Sequence, residues 1–366
     1  MENNTIDKKY LLTSEIIFKG TLYFFYSFDI GDDINIKKIQ EKKLLQFIFN
    51  KSPFYKTYNK PLLLNLKQLN LSPYCIMSSL YNFGAISLRY AFPFETPIEE
   101  LKKIINDKYD LAEKYSHKDA NIIYNEIKSN VSEPHFFNLN CSYVLIQVNT
   151  DPKISPYDFK DQYAQEITSL LRFEIENLSE YKKNEILNEA FGYYRGDLLI
   201  VDFNSALAYN SEYEDILDIF EYANIKHMEL QFFDRALDKQ LNFSYDRKTY
   251  KVPVWAYFPL IGMISFDPIG ELAKLRVDIS VVCERLWSSI KFSDEPYYLE
   301  IYNMLHKKLE FDTWQKSIDK KLEVISHILE THEHKVTDMR HDVLNLLIVL
   351  LIFLETVLAV LHYFSN

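Results

Sequence analysis

The apolar positions of this chain keep two rhythms. Through about residue 210, short β-favouring runs alternate with stretches of helical spacing; beyond it the spacing is almost wholly helical. Residues 22–30, 62–66, 142–148 and 197–207 read as strands. Residues 76–81 and 85–92 read as a hairpin closed by Asn82-Phe83-Gly84, residue types suited to a tight turn. Helices are expected over 34–49, 156–177 and 179–194. A further helix is expected from Pro97 to about Asn130, with Thr96 as its cap and Glu99 and Glu100 in its first turn. That order predicts an α+β domain over residues 1–210, with a mixed or antiparallel sheet and helices on one face. A mainly helical region, 211–311, follows, and its main irregular stretch is 252–268.

From residue 312 onward the helical pattern runs without Gly or Pro. Ile318, Leu322, Ile325, Leu329, His332, Val336, Met339 and Val343 recur at alternating steps of four and three. Such a seam is that of a coiled coil, so residues 312–342 are expected to form a stalk that packs on a partner helix. Residues 343–364, VLNLLIVLLIFLETVLAVLHYF, then match the length needed to cross a bilayer as a helix. Sixteen of them are Leu, Ile, Val or Phe, each favouring insertion by about 0.3–0.6 kcal/mol near the centre, against a cost of about 3 kcal/mol for Glu355. Insertion wins about twofold. Lys335 and Arg340 precede the span, which by the positive-inside rule puts the bulk of the chain on the cytoplasmic side. Glu355, near the middle of a lone span, is expected to be protonated, to face another helix or to line a wet cavity or ion path; a helix to face comes from a second copy, which would make the protein a homo-oligomer.

Composition removes several function classes. The net charge is −11, which argues against general nucleic-acid binding. Only seven glycines occur, and neither GxxxxGK[ST] nor GxGxxG is present, nor are GxSxG and HExxH. The start, MENNTIDKKYLLTSE, carries no export or transit pattern. Cys75, Cys141 and Cys283 are widely spaced and read as buried thiols in a reducing compartment.

Three groups of residues stand out as candidate chemistry. Asp202, in an apolar run, is expected in a buried strand, with His227, Glu229 and Asp234 on the next helix. His227 and Asp234 interrupt a stripe of Ile216, Phe220, Ala223, Leu230, Leu237 and Leu241. If the stripe packs on the strand, these four converge as an acid/base pair, a metal site or a structural polar network. On the stalk, His334, Asp338 and His341 lie about one turn apart, a spacing at which imidazole and carboxylate can share a metal or sense pH, or simply face solvent. Third, Tyr250, Trp255, Tyr257 and Phe258 are interleaved with Lys248 and Lys251, a mixture able to stack nucleic-acid bases or rest at a membrane interface, and one that packing in so aromatic a chain also explains. No cofactor is expected.

One resemblance bears on the C-terminal region. The stretches Lys308-Leu-Glu-Phe, Trp314, Ile318-Asp-Lys-Lys-Leu-Glu-Val-Ile-Ser-His-Ile-Leu and Leu344 through Glu355 are similar to the layout of the sporulation and meiotic-division family of tail-anchored proteins. Glu355 falls on the final Glu of that family's span, while Asn345 and Leu346 depart from its pattern. The resemblance implies a membrane-attached organising protein and no catalytic residues. The expected function is therefore a tail-anchored, non-enzymatic scaffold that binds the bilayer, a second copy and a protein partner through its cytosolic domain. The alternative is a membrane-tethered enzyme, such as a metal-dependent hydrolase, using Asp202 to Asp234.

Overall fold

Residues 22–30 are buried without interruption. A strand covered on one face alternates apolar and polar residues, whereas a strand covered on both reads as an unbroken apolar run. They form most of β1 (Ile17–Asp29), the central strand of a seven-stranded mixed sheet in the order β2-β3-β4-β1-β5-β7-β6. This computed structural model describes residues 16–42, 44, 61–136, 141–246, scattered positions from 273 to 281, and 296–365. The aromatic and lysine cluster at 248–258, the irregular stretch 252–268, Cys283 and positions 43 and 45–49 of the helix expected over 34–49 lie outside these. Of that helix, α1 (Ile36–Glu41) is described.

β1 pairs antiparallel with β4 (Ala85–Pro97) along its whole length, Ile17 opposite Pro97 and Asp29 opposite Ala85. Its other edge pairs with β5 (Cys141–Val148). β3 (Cys75–Leu80) closes the predicted hairpin onto β4, and β2 (Leu62–Leu63) adds a short outer strand before α2 (Leu66–Leu69). Gly84 makes the hairpin turn possible. Its φ is +97°, and a Cβ there would sit 1.5 Å from the carbonyl oxygen of Gly31.

The expected strand over 197–207 is two strands. β6 (Leu198–Val201) and β7 (Ser205–Tyr209) form a tight hairpin, so Asp202 lies in a turn and not within a strand. β7 pairs parallel with β5, the one parallel neighbour in the sheet, after a crossover through α4 (Pro156–Gln162), α5 (Ala164–Leu171) and α6 (Glu180–Leu187). Ser155 and Ser179 cap α4 and α6 by accepting from the Asp158 and Lys182 amides. The two long helices expected here are three short ones, because the chain breaks at Tyr163 and turns left-handed at Phe173 (φ +55°).

Helices cover both sheet faces, not one. The face of Leu22, Phe24, Tyr26 and Phe28 packs with Ile105, Ala112, Ala120 and Ile123 of α3 (Ile98–Ile127) in one core. Pro97 holds the N-cap position of α3, and Thr96 donates to the Glu100 carboxylate instead of capping the backbone. The face of Tyr23, Phe25 and Ser27 is covered by the first half of α7 (Glu214–Asp246), from which Asn224 donates to Ser27 Oγ (2.9 Å) and the Cys141 carbonyl (3.0 Å). Arg89 on β4 is buried on this face between Asp218 and Glu221 of α7. α8 (Pro296–Lys308) lies on α7, where Lys226 Nζ donates to Tyr302 Oη at 2.8 Å. These parts form one unit, Met1–Phe232 with Arg285–Asp312.

The second unit is Phe233–Glu284 with Thr313–Asn366. Most of its described residues belong to α9 (Phe311–Ser365), a helix of 55 residues. Lys321 on α9 pairs with Asp234 and Asp238 on α7 at 2.7 Å each, and Ser317 donates to Asp234. Ile318 and Ile325, two positions of the predicted seam, are fully buried. Farther along, Thr337–Phe364 is long and apolar enough to cross a membrane, and its apolar stretch is not buried among the described residues.

Candidate functional site

The four residues expected to converge have different partners. The Asp202 carboxylate, fully buried in the β6–β7 turn, is bound by Arg172 (2.5 Å to Nε), with Lys308 Nζ 4.0 Å away. Burial raises its pKa against the pull of those two cations. Both cations also lie over the Phe203 ring, at 5.0 and 5.6 Å. Asp234 is held by Ser317 and Lys321. Glu229 is buried near Asp29 and Asp32, and burial followed by those two charges pushes its pKa well up. Among the described residues, no three His, Cys, Asp or Glu side chains are grouped to hold a metal ion.

His227 differs from its neighbours on α7. Every other residue from Ile219 to Leu230 is buried, and His227 alone is half-buried. It lines a cavity of about 400 Å³ at the end of the sheet where β5 begins. Cys141, the first residue of β5, meets it there, with Sγ 3.4 Å from His227 Nδ1. Gln231, one helical turn on, places its amide 2.9 Å from His227 Nε2. Both imidazole nitrogens are therefore engaged. A Gln amide can serve either tautomer by presenting its oxygen or its NH2 group. Burial pushes the Cys141 thiol up to about 12 and the His227 imidazole down to about 4, so at neutral pH the pair rests uncharged.

The rest of the cavity is mixed. Tyr109 of α3 and Phe173 form an aromatic wall, their centroids 5.8 Å apart. The left-handed backbone at Phe173 that ends the crossover helix turns its ring to this wall. Ser142, Asn106 and Asn204 supply neutral polar groups, and Asp110 is the one charged side chain of the lining. Only His227 of this set was singled out by sequence. Its i, i+4 spacing to Gln231 was visible. The approach of Cys141 was not, because it depends on which face of β5 meets α7.

A second polar cluster sits at the C-terminal end of β1. Asp29 accepts from the Gly31 amide at 3.1 Å and pairs with His135 Nε2 at 3.0 Å. His135 Nδ1 lies 3.0 Å from the Glu133 carbonyl, and its ring stacks on Phe232. Burial disfavours the imidazolium, but Asp29 outweighs it and the His135 pKa is raised.

On α9, His334, Asp338 and His341 are exposed along one stretch of helix, and Glu355 is exposed within the apolar segment.

Comparison with known proteins places the similarity in the first unit. Residues 19–215 match the family described as "Uncharacterized protein MJ0711, N-terminal domain". The uncharacterized protein MJ0711 of Methanocaldococcus jannaschii is 28% identical over 211 residues, which cover 56% of this chain and 63% of that protein. The chain thus spans less than two thirds of the length of this relative. No solved structure matches. The resemblance to the sporulation and meiotic-division family is overturned: no such family matches, and the match found lies in the N-terminal half, not in the C-terminal layout that suggested the kinship.

Proposed function

The chain belongs to the MJ0711 N-terminal-domain family, and we propose that it carries this domain on a membrane anchor. One observation supports the reading. Residues 344–364 expose an apolar surface, broken by Glu355, that none of the described residues buries, and water would penalise that surface by roughly 25 cal/mol per Å². In a bilayer the cost vanishes. Lys335 and Arg340 then favour an orientation with the α+β unit in the cytoplasm. Glu355 is satisfied by a second copy, so the protein self-associates in the membrane, and the α+β unit works as a binding and organising module for a protein partner.

Carbonate extraction of native membranes tests the anchor. The full chain should stay in the pellet, and a chain lacking residues 337–366 should be released. Release of the full chain would defeat the proposal. Crosslinking in the same membranes should give a dimer or higher species that Glu355→Leu diminishes.

A second reading, a tethered enzyme, is favoured by a different observation from the acids first considered. It rests on the cavity lined by Cys141, His227 and Gln231.

A further inference from the structure

We propose that Cys141, His227 and Gln231 form a thiol acyl-transfer site that hydrolyses small, uncharged carboxylic esters. The inference rests on the enzymatic reading above and is independent of the membrane anchor.

Three features of the geometry carry it. The thiol is within reach of a base, 3.4 Å from His227 Nδ1. The base is oriented by a third group: the Gln231 amide nitrogen lies 2.9 Å from His227 Nε2, and a half-turn of that amide presents its oxygen to Nε2–H, the tautomer in which Nδ1 takes the thiol proton. This is the nucleophile–base–orienter arrangement that covalent catalysis requires. Both Cys141 and His227 line a cavity of about 400 Å³, within the usual range for a small ligand and too small for a polymer. Cys75 offers the contrast. It is also a buried free thiol, but its Sγ donates to the Met77 carbonyl at 3.4 Å.

The lining selects the substrate. Among the described residues its lining holds no Lys or Arg to bind a carboxylate or phosphate, so the acyl compound is uncharged. Tyr109 and Phe173 give its apolar part a wall to rest on, and the amides of Asn106 and Asn204 can donate to a carbonyl oxygen.

The chemistry balances with water as the one co-reactant. The Cys141 sulfur pair forms a C–S bond to the ester carbonyl carbon while the thiol proton passes to His227 Nδ1. The C–O bond then breaks, and the leaving alcohol takes that proton. Water attacks the resulting thioester, giving a proton to His227. The acid departs, and the sulfur recovers its proton. Gln231 is a positioning residue. Its amide oxygen accepts from Nε2–H when the imidazole is charged, and rotation of the amide serves the neutral ring in its other tautomer.

The full chain in detergent, treated with p-nitrophenyl acetate, tests the site, with released nitrophenol and acetylated cysteines followed by mass spectrometry. Cys141 should be acetylated far faster than Cys75 in the same molecules. The titratable groups facing the cavity are Cys141 from β5, Tyr109 and Asp110 from α3, and His227 itself. With a neutral imidazole as base, the Cys141 rate should stay nearly flat between about pH 5 and 8 and fall toward pH 4, where His227 gains a proton. His227→Gln should slow acylation by at least about 100-fold. Gln231→Ala should slow it less and move the acid limb of the profile, whereas Gln231→Glu, which keeps an acceptor, should restore the rate. Labelling of Cys141 no faster than Cys75 overturns the proposal. So does a wild-type rate that climbs about tenfold per pH unit over that range, the behaviour of an unassisted thiol. The wild-type profile decides the matter even if a variant fails to fold, and none of these outcomes bears on carbonate extraction.

Discussion

Arg89 offers the sharpest test of how α7 is held on the sheet. Its side chain, 4% exposed, donates from Nη2 to Asp218 at 2.6 Å and from Nε to Glu221 at 3.1 Å, while its guanidinium lies 5.4 Å from the centroid of the Phe25 ring. The Glu221 side chain is only 3% exposed and that of Asp218 14%. Arg89→Met keeps the length of the stem and removes the charge, leaving two carboxylates facing each other without their cation. Breaking a buried pair in this way costs about 3–5 kcal/mol. Asp218 retains some water, so the loss should fall near 4 kcal/mol. Replacing the pair entirely by apolar groups is about neutral in such sites. The double variant Arg89→Met with Glu221→Leu should therefore recover most of the loss. Equilibrium urea unfolding of the full chain in detergent, followed by far-UV circular dichroism, gives the two values and their coupling. A single variant that loses less than about 1 kcal/mol, or a double variant no better than the single, would refute the picture of a desolvated ion cluster at this face.

Other expectations concern separate parts of the molecule. Glu229→Gln should stabilise the protein at pH 7 and leave it unchanged near pH 4. The carboxyl's pKa is raised on folding, so its contribution is fully present below the unfolded value and is lost as pH rises, by up to about 1.4 kcal/mol per pH unit. Identical pH-stability curves for the two proteins would sink this. The Asp29–His135 pair carries the same sign at higher pH: its stabilisation is complete below the unfolded His value, near 6.5, and fades as pH climbs through the raised folded value, so Asp29→Asn should flatten that decline. Gly84→Ala should cost more than about 1 kcal/mol, since neither its φ nor the contact with Gly31 tolerates a side chain, and a thermal melt would reveal an unaffected variant. Ile325→Ala should cost about 2–4 kcal/mol, seen as faster amide exchange along α9; unchanged exchange would mean that this part of the seam is not packed.

The sheet was largely legible in the sequence because its strands are apolar runs bounded by turn residues. The β3–β4 hairpin, β1, β5 and the length of α3 all lie close to their expected places. Two features were not legible, for physical reasons. Asp202-Phe203-Asn204 carries no glycine, so the β6–β7 turn resembled an unbroken strand, and Asp202 was placed within it. The nearly unbroken apolar run of β1 fits cover on both faces, but periodicity does not say which later segment provides it, and helices were expected on one face alone. The stripe of Ile216, Phe220 and Ala223 was correctly apolar, yet α7 is buried on nearly every side between Ile219 and Leu230. In such a helix the half-exposed residue is the unusual one, and it is His227. Cys141 read only as a buried thiol and Gln231 was not singled out, because neither residue type is unusual where it stands; only their meeting with His227 is.

The limit of the family match at residue 215 has a practical bearing on anyone who would produce this domain by itself. A fragment trimmed there would keep all seven strands but discard the stretch of α7 that roofs Tyr23, Phe25, Tyr143 and Leu145. Arg89 and Ser27 would lose their helical partners in the same cut. The product would be a sheet with one greasy side bare to solvent, prone to clump however sound its strand pairing. Extending the fragment through Phe232, with Arg285–Asp312 supplied in the same chain, keeps that roof in place.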